Sequence, residues 1–211
     1  MKTAKHFGIM GAIDRKEGIT HVKEFLKKYS YTVVKLFVNQ FAIALFGVGL
    51  AFVSAYAQNN TLRVASSIGA ILFYLFLLYV HMWEVGAKDG ISAEARGTSR
   101  GLWRGFVIGA AANLPNLLLA ILIGIASLAG AGGLGQVTTA IALMLEGMYF
   151  GILSVPIGDT VLSGQAWVYF VIILPAVLVS GGAYVIGSYN LHATNILIPK
   201  NKDVKNNGRP K

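Results

Sequence analysis

The sequence contains no cysteine and little charge. Without thiols it forms no disulfide, thiolate metal site or iron–sulfur cluster, and it has no thiol nucleophile. Asp, Glu, Lys and Arg make up 13% of its 211 residues, about half the roughly 25% typical of soluble domains. The shortage is uneven, because residues 36–62, 64–83, 105–145 and 160–199 contain none of the four. A membrane-spanning helix needs about 20 mostly apolar residues, and each of these stretches is long enough. No Walker A, HExxH, zinc-ligand or EF-hand spacing occurs, so no cofactor or metal is expected.

What is present is apolar: 55% of residues are hydrophobic and the mean hydropathy is +0.62. The composition predicts an all-α integral membrane protein, a helical bundle of five hydrophobic segments. The net charge of +9 sits in flanks around those segments. Residues 1–35 hold eight Lys/Arg and three acids, and residues 195–211 hold five and one. Basic flanks of apolar spans mark the cytoplasmic face of a membrane and its anionic lipids. Nucleic acid is not the expected partner.

Residues 1–32 read as a basic cytoplasmic arm, broken by Gly8, Gly11 and Gly18, followed by an amphipathic helix from Thr20. In that helix Val22, Phe25, Leu26 and Tyr29 fall on one face, opposite Lys23, Lys27 and Lys28. Such a helix lies in the headgroup plane, with these lysines as its lipid contacts. The membrane domain, residues 33–194, divides into segments at about 33–56, 64–83, 106–129, 137–157 and 166–189. Residues 84–105 read as a charged connection, and Gly130 to Gly135 as a flexible turn. Trp83, Trp103 and Trp167 stand near segment ends, where interfacial anchors belong. Residues 195–211 form a basic tail.

Two topologies follow. Five full crossings with the N-terminus inside place 12 Lys/Arg inside and 6 outside, whereas four crossings plus a re-entrant fourth segment place 17 inside and 1 outside. The positive-inside bias favours four crossings, with both termini cytoplasmic in the cell membrane. Gly147, Gly151 and Pro156 supply the bend that a re-entrant segment needs.

Glu146, inside the fourth segment, is the foremost candidate. A carboxylate there costs about 2.5–3.5 kcal/mol unless it is paired, solvated or protonated, and no apolar segment supplies a Lys or Arg. It reads as a proton- or cation-coupling group or as a structural hydrogen-bond partner. Asn113, Pro115 and Asn116 form a second polar spot, because Pro115 frees a carbonyl one turn earlier and the Asn amides can bind it, a helix or a solute. Asn39 and Gln40 carry the same ambiguity. His81 and Glu84 share a helix face near the membrane surface, as an interfacial cluster with Lys88 rather than a metal site. The leading expectation is a small permease-like or transport-accessory subunit, possessing no catalytic residues and working alone or with other membrane subunits. The alternative is a non-catalytic membrane interaction, assembly or lipid-sensing protein.

Overall fold

The structure, a computed structural model, describes residues 3–158 and 160–191, with side chains from residue 23 onward except at 157. The basic tail 195–211 and the side chains of the N-terminal arm lie outside the described residues. The described chain is predominantly helical. It runs through α1 (Thr3–Tyr56), α2 (Asn60–Ala95), α3 (Arg104–Ala112), α4 (Leu114–Leu128) and α5 (Gly132–Leu145). A 3₁₀ turn (Gly147–Tyr149) leads into α6 (Phe150–Leu153). A small antiparallel hairpin, β1 (Pro156–Ile157) with β2 (Thr160–Val161), pairs Pro156 with Val161. The last helices among the described residues are α7 (Val168–Val171) and α8 (Leu174–Ser188).

Three helical stretches, Lys23–Tyr56, Asn60–Ala95 and Val168–Ser188, are long and apolar enough to cross a membrane. Two bent pairs raise the number to five if each pair is one span: α3 with α4, bent by 59°, and α5 with Gly147–Leu153, bent by 93°. The outer surface suits such a setting, since Phe41, Phe46, Leu72, Phe76, Leu118 and Leu178 are all exposed. An apolar exterior on this scale belongs against lipid or a partner rather than water.

The interior is lined by small and large residues at helical spacing. In α2 the buried stripe runs Ser67, Ala70, Tyr74, Leu78, Met82, Gly86, Gly90, one residue per turn. A Cβ on Gly86 or Gly90 would collide with the backbone of α8 at Tyr184 or Ser188, and one on Gly187 would strike the backbone of Trp83. The two helices therefore approach backbone to backbone, as small residues four apart permit.

Both bent pairs have local causes. Pro115 sits in the first turn of α4; lacking an N–H, it cannot continue the ladder of α3. At the second break Glu146 adopts φ −107°, ψ 31°, and Gly147 lets α1 come close. A Cβ on Gly147 would collide with the Ala44 carbonyl, and one on Gly47 would stand 2.6 Å from the Gly147 carbonyl oxygen.

Four boundaries differ from the sequence expectation. Helix α1 runs unbroken from Thr3, so Gly8, Gly11 and Gly18 do not break it and residues 20–32 form no separate surface helix. No proline or glycine interrupts residues 19–46, and Phe25 and Tyr29 pack on neighbouring helices instead. Helix α2 continues to Ala95, absorbing half of the expected 84–105 connection, because Gly86 and Gly90 serve packing rather than flexibility. The turn after α4 is only Ala129–Ala131, and α5 begins at Gly132. Gly130 to Gly135 has the G-x-G-x-x-G spacing of a dinucleotide loop, but it follows a helix rather than a strand and lacks that motif's context. The fourth segment, expected over 137–157, is two short helical pieces meeting at Glu146, with its last residues in the hairpin.

Candidate functional site

The two helix breaks meet in the middle of the bundle. Glu146, at the end of α5, is 3% exposed. Its Oε1 accepts a hydrogen bond from Gln40 Nε2 of α1 at 3.3 Å, and the Gln40 Oε1 accepts one from the Tyr74 hydroxyl of α2 at 3.5 Å. The same hydroxyl also lies beside the side chain of Asn113, the residue at the α3–α4 break. Asn113 Nδ2 donates to the Gly109 carbonyl at 2.9 Å, and its Oδ1 accepts from Asn116 Nδ2 at 3.2 Å. Four elements thus contribute to one buried chain of polar groups: Glu146–Gln40–Tyr74–Asn113–Asn116.

The network is short of partners at its edges. Asn116 Oδ1 and the Tyr149 hydroxyl are buried without a hydrogen-bond partner, and Tyr149 is close enough to interact electrostatically with Glu146. No described Lys or Arg pairs with Glu146; the ion pairs among described residues are Lys28–Asp89, Lys88–Glu84 and Arg100–Glu94. Unpaired buried oxygens cost about 1–3 kcal/mol each, so this centre holds more acceptor capacity than the protein itself fills. Chemically, the arrangement can bind or release a proton at the Glu146 carboxyl, or surround a small cation with oxygens.

The structure brings together Glu146, Asn113, Asn116 and Gln40 from the sequence candidates. Pro115 acts through the backbone, by breaking the helix. Tyr74 and Tyr149 were not singled out in the sequence, where they sit among many apolar and aromatic neighbours; only their mid-segment position hinted at them.

His81 and Glu84 stay apart from this centre. They line a cavity of about 420 Å³ with Lys35 and Asn39. Glu84 accepts from Lys88 Nζ at 2.6 Å, while His81 Nε2 is buried without a partner. No group of three metal-ligating side chains exists among the described residues. Of the three lysines expected on headgroups, Lys23 and Lys27 are exposed, but Lys28 is tied to Asp89 at 2.6 Å.

That ion pair belongs to a second polar cluster, at one end of the bundle, which the sequence did not reveal. Asp89 Oδ2 accepts from the Tyr29 hydroxyl at 2.5 Å and the Tyr184 hydroxyl at 2.8 Å, and Arg104 interacts with Tyr184. The cluster joins the middle of α1, the later part of α2, the start of α3 and the later part of α8. In the opposite direction, the turn after Glu146 leads to Gly151, where a Cβ would stand 2.5 Å from the Arg63 carbonyl oxygen near the start of α2. No family model, no curated protein and no solved structure matches the chain.

Proposed function

We propose that the chain is a small permease-like membrane protein, or the membrane subunit of a transporter, that moves protons or another small monovalent cation past Glu146. The observation that carries this reading is the meeting of two broken helices at one buried, incompletely satisfied polar network. Lipid cannot satisfy the backbone groups that a break exposes, so broken helices persist where they line a protein interior or a wet path. Transporters place solute and ion sites at such breaks, near the membrane midplane. Gln40 fits that depth: it lies about 18 Å along α1 from Lys28 and about 24 Å from Tyr56 at 1.5 Å per residue.

In this reading the chain makes four crossings, and α5 with Gly147–Leu153 is a re-entrant segment. Support comes from Gly105, at the start of α3, whose Cβ would collide with the Tyr184 side chain near the end of α8. A chain that leaves one end of the bundle and returns to it favours four crossings over five. The basic end faces the cytoplasm of a cell, on the positive-inside bias. Glu146 then sits at the tip of a segment that enters from outside, dips to mid-depth and leaves again.

A second reading, a non-catalytic assembly or lipid-sensing protein, is favoured by the closure of the centre, where Glu146 is 3% exposed. Purified protein in liposomes separates the two. The permease reading expects proton or monovalent-cation flux above that of empty liposomes under an imposed gradient. Flux equal to empty liposomes across sodium, potassium and proton gradients contradicts it and leaves the assembly reading.

A further inference from the structure

At the basic end, a cavity of about 700 Å³ opens between α1 and α3 beneath the α2–α3 connection. Its rim carries Lys28, Arg96 and Arg104 against one carboxylate, Glu24. Lys28 is occupied by Asp89, whereas Arg96 and Arg104 form no ion pair among the described residues. The walls are aromatic. Phe25 and Trp103 stack with centroids 6.3 Å apart and planes 9° from parallel. The floor, Val107 and Ala111, is apolar and lies further along α3, toward the apolar middle of the bundle. Leu26, on the cavity's edge, is 52% exposed, so the apolar part opens outward where acyl chains would lie.

We propose that this cavity is a specific site for an anionic phospholipid. The headgroup phosphate lies between Arg96 and Arg104, and the first part of an acyl chain lies along Trp103, Leu26 and Val107. The complementarity has two parts: guanidinium groups outside any ion pair, Arg104 keeping its contact with Tyr184, suit a phosphate oxygen fork, and basic pockets between membrane helices at the cytoplasmic side suit lipid headgroups. The chain's own tail is a poor occupant, since residues 195–211 carry five Lys/Arg to one acid and share the sign of the rim. An apolar floor beneath the cations also asks for more than a free anion. The site does not depend on the permease reading, and either can fail alone.

Native mass spectrometry of the full chain in detergent, titrated with phosphatidylglycerol or phosphatidylcholine, tests it. One saturable phosphatidylglycerol is expected, with phosphatidylcholine weaker. Arg96→Gln and Arg104→Gln should each weaken that copy about fivefold, the worth of roughly one charge at a membrane surface. Val107→Trp, which fills the floor and leaves every charge in place, should also remove it, and it guards against misfolding of the arginine variants. Lys88→Gln, exposed and outside the cavity, should leave it intact. Inorganic phosphate should compete only weakly. Equal binding of the two lipids, equal loss in Lys88→Gln, or phosphate binding as tight as the lipid's would overturn the proposal.

Discussion

Tyr184 donates a 2.8 Å hydrogen bond to Asp89 across 95 residues of sequence, tying the end of α8 to the end of α2. Tyr29 and Lys28 of α1 reach the same carboxylate. One aspartate therefore ties three helices together, while the helices break at Asn113 and Glu146.

This latch has a measurable worth. Tyr184→Phe removes one hydrogen bond to a charged acceptor and should cost about 1.5 kcal/mol. Asp89→Ala removes the acceptor from both tyrosines and should cost about 3 kcal/mol, with the half-exposed Lys28 adding little. The double variant should lose less than the two together, because both changes delete the same bond. Thermal unfolding in detergent checks this, and an Asp89→Ala variant as stable as the parent would refute it.

The small-residue contact beside Glu146 yields a second prediction. Gly147→Ala drives a methyl group into the Ala44 carbonyl, and overpacking of that kind costs about 1–3 kcal/mol. Gly49→Ala, two residues beyond Gly47 on α1, meets nothing within 4 Å and gains up to about 1 kcal/mol of helix propensity. The two substitutions should therefore move the unfolding temperature in opposite directions. A shift of the same sign in both would mean that α1 and the Glu146 turn are not in contact as described.

Topology can be read chemically, because the chain has no cysteine to interfere. Ser127→Cys and Thr160→Cys flank the bent fourth segment at exposed positions, and Ser99→Cys lies in the α2–α3 connection. With a re-entrant segment, an impermeant maleimide added outside intact cells should label Ser127→Cys and Thr160→Cys alike, and Ser99→Cys only after permeabilisation. Opposite labelling of positions 127 and 160 would establish a full crossing there.

Much of this arrangement was legible in composition and spacing. The uncharged gaps marked the apolar segments, Pro115 marked one break, and a lone acid in apolar sequence marked Glu146 as interior. What escaped was non-local. Charges at residues 84–95 resembled a loop because composition changes there, yet helix α2 continues since its glycines meet a backbone about 100 residues away. Asp89 looked like any surface acid until Tyr29 and Tyr184 closed on it. Gln40 and Glu146 are 106 residues apart, and no periodicity within either segment encodes their meeting.

The account rests on Glu146 being a working group rather than packing. Glu146→Gln keeps the side chain's shape and its ability to bond Gln40, but it can neither release a proton nor carry a charge. Flux through proteoliposomes, measured alongside thermal unfolding of the same variant, separates the two roles. The account predicts that Glu146→Gln loses at least about tenfold in pH-gradient-driven flux, equivalent to about 1.4 kcal/mol, while its unfolding temperature stays close to the parent's. Parental flux in Glu146→Gln would contradict it.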